Sequence, residues 1–83
     1  SALMSQEASV KSHLENIQRC TRILELRSGI TKKYSAQLNE GIIKSIDLIS
    51  AINLEDAARL QLETEKVLLQ QSIAKFLELK GDL

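Results

Sequence analysis

Apolar residues recur along this chain at spacings of three and four, and the longest unbroken run of that pattern lies between Asn53 and Leu83. At about 100° per residue, Ala58, Leu62, Leu69, Ile73, Phe76 and Leu77 fall on one stripe, and Leu60, Val67 and Ala74 on a second. Asn53 is placed to cap the start, and Glu55 and Asp56 set negative charge against the positive end of the helix dipole. Lys80 in the last turn and Gly81 beyond it mark the end. A helix of roughly 26 residues there would be a rod about 40 Å long. Being apolar on two sides, it requires two neighbours.

Two further helices are expected ahead of it. The first begins at Ser5 or Ser9 and runs to about Ser28, with Val10, Leu14, Ile17, Thr21 and Leu24 as its stripe and His13 and Cys20 along one margin. Ile23 and Leu26 fall outside that stripe and suggest a second contact surface. Ser28-Gly29 resembles a helix end. A second helix then runs from Thr31 to Ile52, with Tyr34, Leu38, Ile42, Ile46, Ile49 and Ile52 on its stripe and Gly41 inside the pattern. The short junction Ala51–Leu54 makes the second and third helices an antiparallel hairpin. The expected fold is therefore all-α. An N-terminal helix joins a hairpin in a small three-helix, coiled-coil-like bundle with helices at about 5–28, 31–52 and 54–80. The expected hairpin core is Leu38, Ile42, Ile46, Ile49, Leu62, Leu69, Ile73 and Phe76, leaving Leu60, Val67 and Ala74 for a partner. Residues 1–4 are expected to be a tag remnant or disordered start.

Charge changes the picture by exclusion. Lysine and arginine number 11 and aspartate and glutamate also 11, so no net field draws nucleic acid or an anionic membrane. Tyr34 and Phe76 are the only aromatic side chains, too few for a base-stacking platform. No apolar run approaches the roughly 18–20 residues that span a bilayer, and the start lacks the pattern of a signal peptide. One cysteine precludes an internal disulfide and fits a reducing compartment, so a cytoplasmic location is expected. A chain of 83 residues makes one small domain, marginal in stability unless a partner adds to its core.

Candidate chemistry is thin. His13 and Cys20 lie two helical turns apart, about 10 Å along the axis, too far for a direct nucleophile–base pair and too few for zinc. Glu63 and Glu65 point in different directions, as solvent-facing glutamates do. The three glycines are isolated and build no phosphate loop. The expectation is no enzyme activity, no cofactor and no metal.

The capped start Asn53-Leu54-Glu55-Asp56, the segment RLQLETEK and the ending LLQQSIAKFLELKGDL, following a short turn and an amphipathic helix, resemble the YscE-type co-chaperones of bacterial type III secretion. The resemblance covers about the last third of the chain. It implies a small helical protein in which a hairpin helps a TPR-like chaperone hold a needle subunit soluble. The function expected on this basis is a non-enzymatic interaction module that binds another protein by apolar helix packing. The alternative is a self-assembling structural protein, either a homodimeric bundle or a needle- or rod-like subunit. A small helical DNA-binding regulator is less favoured, because no basic recognition helix is present.

Overall fold

The computed structural model describes residues 1–82; Leu83, the last residue of the run discussed above, lies outside the described residues. Two long helices make up the fold, α1 over Ala2–Asn39 and α2 over Ser45–Lys80, packed antiparallel as a single hairpin. Among the described residues there is no strand. The all-α class stands, but the three-helix bundle and its hairpin turning at Ala51–Leu54 do not, and neither expected break exists. At Ser28–Thr31 the chain carries no proline, and a glycine inside a helix costs only about 1 kcal/mol relative to alanine. Thr31 turns its hydroxyl back to the Arg27 carbonyl, 3.1 Å away, within a continuous α1. Ile52–Leu54 has neither glycine nor proline, and Asn53 is an interior residue of α2 rather than its cap.

The turn lies instead at Glu40–Lys44, and Gly41 sets it. Its φ of 76° is left-handed, a conformation glycine adopts without steric cost. The Gly41 amide bonds the Leu38 carbonyl at 3.0 Å and the Ile42 amide bonds the Gln37 carbonyl at 2.8 Å, the paired bonds of a Schellman end. The Asp47 carboxylate then accepts from the Lys44 amide at 3.0 Å and opens α2. Gly81, φ 82°, closes α2 in the same way. At the other extremity the Ser1 hydroxyl accepts from the Met4 amide, so α1 starts ahead of both Ser5 and Ser9.

One seven-residue repeat runs through both helices and forms the seam. On α1 an apolar row of Val10, Ile17, Leu24, Thr31 and Leu38 alternates with a polar row of Gln6, His13, Cys20, Arg27 and Tyr34. On α2 Leu48, Glu55, Leu62, Leu69 and Phe76 alternate with Ala51, Ala58, Glu65 and Ser72. Each of these residues is buried or half-buried. The repeat explains the uninterrupted helices, since a break at Gly29 or Asn53 would put the residues beyond it out of register with the partner helix.

The hairpin measures 61 × 15 × 14 Å, with a radius of gyration of 18.4 Å against about 12 Å for a compact domain of this length. Its core is correspondingly slight. Among the described residues only Cys20, Ala51, Leu62, Glu65 and Ser72 are buried, two of them polar, and no large side chain is fully enclosed.

Candidate interaction surface

Two polar contacts fix how the helices align. The Gln6 amide donates to the Ser72 carbonyl at 3.0 Å and to its hydroxyl at 2.9 Å, and that hydroxyl lies 3.2 Å from Ser9 Oγ. Seven residues further along α1, His13 Nδ1 is 3.2 Å from Glu65 Oε2. A further heptad brings Cys20 level with Ala58, and the next brings Arg27 level with Ala51. The polar row is thus either internally hydrogen-bonded or filled by small residues that let the helices approach. No buried side-chain polar atom among the described residues lacks a partner.

The apolar row opens on the other side of the seam. Glu55 interrupts it but is held by its neighbours. The Ser28 hydroxyl from α1, then Arg59 at 3.1 Å on its own helix, outweigh partial desolvation and lower the Glu55 pKa below the ordinary carboxylate value. Outside the row, at positions four residues beyond its members, stand the exposed side chains Leu14, Ile52 and Ile73. Val10, Ile17, Leu24, Leu69 and Phe76 are themselves only half-buried. Large apolar side chains are therefore only partly covered on this side of the seam, and on the polar-row side Ile23, Ile30, Leu54 and Leu68 are exposed as well.

Of the residues expected in the hairpin core, Leu62 is buried, Leu38, Leu69 and Phe76 are half-buried in the seam, and Ile42, Ile46, Ile49 and Ile73 are exposed. The residues expected to bind a partner, Leu60, Val67 and Ala74, lie on the back of α2, away from α1, and all three are exposed. They are spaced at seven residues, and ion pairs flank them: Arg59 with Asp56 at 3.1 Å and Lys66 with Glu63 at 3.2 Å. Ile23 and Leu26 are also exposed, on the opposite flank of α1 from Leu14.

Sequence reasoning missed the roles of Gln6, Ser9, Glu65 and Ser72. A detectable signal existed: Glu65 and Ser72 fall at the same heptad position as Ala51 and Ala58, so any helix that buries the alanines must also bury them. His13 and Cys20, placed at a margin of the core, sit within the seam, where Cys20 is a free thiol.

Little else on the surface is shaped for chemistry. An open depression on a single helix is lined by Met4, Glu7, Ala8 and Lys11. No cluster of three potential metal ligands occurs among the described residues, and no helix there is long and apolar enough to cross a membrane. Comparison of the chain with protein-family models, curated proteins and solved structures finds no match in any of the three, so the fold and the surface stand on the geometry alone.

Proposed function

We propose that this chain is a structural helical protein that acts by associating with itself as a homodimeric bundle. The observation that carries the reading is an excess of surface. A compact folded chain of 9.3 kDa exposes about 5,000 Å². This hairpin exposes 5944 Å², about 1,000 Å² more, and much of its large apolar complement is in that surface. The excess slightly exceeds the roughly 800 Å² that each partner contributes to a standard stable interface. A two-helix unit with five buried residues has too small a core to stand alone, and a second copy supplies the missing layer. No feature of the hairpin selects a different protein over a copy of itself, which is why self-association is preferred to the co-chaperone reading.

Sedimentation equilibrium of the purified chain over a wide concentration range, with helicity followed in parallel by circular dichroism, tests this. The expected outcome is a dimer mass that falls towards monomer on dilution together with loss of helix. A monomer of undiminished helicity at all concentrations would overturn the reading. A mass that grows without limit would replace the closed dimer with a filament subunit, and association only with a foreign chaperone would return the co-chaperone reading.

A further inference from the structure

We infer that the second copy docks on an uncharged face of α2 centred on Leu60, Thr64 and Val67, so that α2 lies inside the dimer and α1 outside. This inference rests on the self-association proposed above and adds the face. Three adjacent heptad rows make it up, beginning at Ser50, Asn53 and Leu54 and ending by Ala74. Leu60, Val67 and Ala74, expected from the sequence to meet a partner, belong to one of them. No residue in the three rows is charged, in a chain where 27% of residues are, and every one is exposed. Leu60 is 69% exposed and Val67 50%, with Leu54 and Leu68 beside them. The charges that α2 carries between Ser50 and Ala74 all lie elsewhere. Glu65 is in the seam, and Glu55, Asp56, Arg59, Glu63 and Lys66 are on the apolar-row side, paired among themselves. The outward rows of α1 show the contrast, with Glu15, Arg19, Arg22, Lys32 and Lys33 among their members.

Depletion of charge at the centre, with polar groups kept to the rim, is what separates the core of a protein interface from ordinary surface. The α2 face has that layout. The Asp56–Arg59 and Glu63–Lys66 pairs run along one edge, and across the polar row Ile23, Arg27 and Ile30 of α1 form the other. The apolar-row side also exposes Leu14, Ile52 and Ile73, but Arg59 and Lys66 stand between Ile52 and Ile73 in the same row. Its centre is charged, and contact there would take both pairs out of water. From Ser50 to Ala74 the uncharged face is about 36 Å long and about 11 Å across, or roughly 400 Å². That is about half of the 800 Å² that each partner contributes to a standard interface, and the rim supplies the rest. Symmetry makes a second copy the occupant. A two-fold axis brings the residues around it against their own counterparts, so a charge there would meet its like, whereas an uncharged face meets itself without repulsion. The relief is self-complementary as well. With α2 antiparallel to its counterpart about the level of Leu62, Leu60 faces Thr64 and Val67 faces Ala57, large against small.

Cross-linking and substitution test the inference. In a Cys20→Ala background, Thr64→Cys places a thiol at the centre of the face, and Gln18→Cys places one at an exposed position of α1 away from it. With a short bis-maleimide the first should give a covalent dimer in high yield, and the second no more than random collision does. The reverse pattern overturns the face. Leu60→Glu and Val67→Glu, both at exposed positions of the single hairpin, should each weaken dimerisation by at least about tenfold. Leu14→Glu, on the apolar-row side, should leave it unchanged. A dimer unmoved by Leu60→Glu, or one dissociated by Leu14→Glu, overturns the face while self-association stands. Should a glutamate variant lose its helix along with its partner, the cross-link still decides. A parent chain that is monomeric throughout overturns both proposals. A monomer that binds a different protein through Leu60 gives the face to a foreign partner and overturns the second copy as its occupant.

Discussion

Replacing His13 by leucine isolates a buried carboxylate, and the consequence can be worked from the seam. The Glu65 side chain is 11% exposed and that of His13 24%, and their 3.2 Å contact is the hydrogen bond that satisfies Glu65. A hydrogen bond to a charged group contributes about 1.5–3 kcal/mol, a range that the partial exposure of this pair brings down to about 1–2. The new leucine recovers part of that through burial, so His13→Leu should destabilise by about 1 kcal/mol. The opposite change is not symmetrical. Glu65→Leu puts an apolar side chain at one of the most buried positions and frees a histidine that can turn towards water, so a gain of about 1–2 kcal/mol is expected. With both leucines in place neither polar group is stranded, and the double variant should exceed both singles, with a coupling of about 2 kcal/mol. Urea unfolding at one fixed protein concentration measures the cycle, the fixed concentration being needed because association adds to apparent stability. If His13→Leu is as stable as the parent, or the two changes add without coupling, Glu65 does not depend on His13 and the account of the polar row fails.

Two other perturbations probe separate parts of the hairpin. Because the folded-state pKa of Glu55 is lowered, its contribution is present above the unfolded pKa and is lost as pH falls through the folded one. Glu55→Gln should therefore lower the thermal midpoint at neutral pH by an amount that shrinks in acid; a deficit independent of pH would contradict the assignment. Gly29→Ala should stabilise by about 0.5–1 kcal/mol, since Gly29 is helical and an added Cβ meets nothing within 4 Å. Gly41→Ala should destabilise by about 1–2 kcal/mol although its Cβ would also meet nothing, because φ there is +76°. Chemical denaturation of the pair distinguishes a turn at Gly41 from one at Gly29, and the reverse order of stabilities would refute the turn assignment.

The two glycines also show how far the sequence could be read. Helical periodicity made the all-α class legible, and Lys80-Gly81 marked the end of α2 correctly. Both Ser28-Gly29 and Glu40-Gly41 have the composition of a helix end, however, and composition does not say which glycine takes positive φ. The decision is tertiary. Only a turn at Gly41 leaves two rods of nearly equal length, 38 and 36 residues, so that each heptad on one meets a heptad on the other. Asn53 misled for a similar reason: a good cap signal carries about 1 kcal/mol, less than the continuous packing of Ala51, Glu55, Ala58 and Leu62 across it. The exposure of Ile46 and Ile49 was hidden because a stripe found one helix at a time does not reveal which stripe faces the neighbour. In α2 the seam is the row with the polar interruptions, so ranking faces by hydrophobicity alone selects the wrong boundary between inside and outside.

Those interruptions have a structural logic that connects the thin core to association. An apolar row of valine, isoleucine and leucine against leucine and phenylalanine is nearly indifferent to a slip of seven residues, because one large aliphatic side chain replaces another. The polar row is not. Sliding α2 by one heptad would set Glu65 against Gln6 and Ala58 against His13, leaving the histidine without its carboxylate and Ser72 beyond the Gln6 amide. The contacts that stabilise the hairpin least in hydrophobic terms are therefore the ones that make its register unique, as a polar residue at a coiled-coil core position does. Confining them to one side of the seam leaves the other side to apolar packing, apart from Thr31, which bonds the Arg27 carbonyl, and Glu55, which α1 and Arg59 satisfy. Within one chain that division is a deficit, since half of the seam contributes little burial. In the self-association proposed above that division takes on a use: the polar row aligns each hairpin with itself, and the apolar side chains left exposed remain free to pack against a second copy.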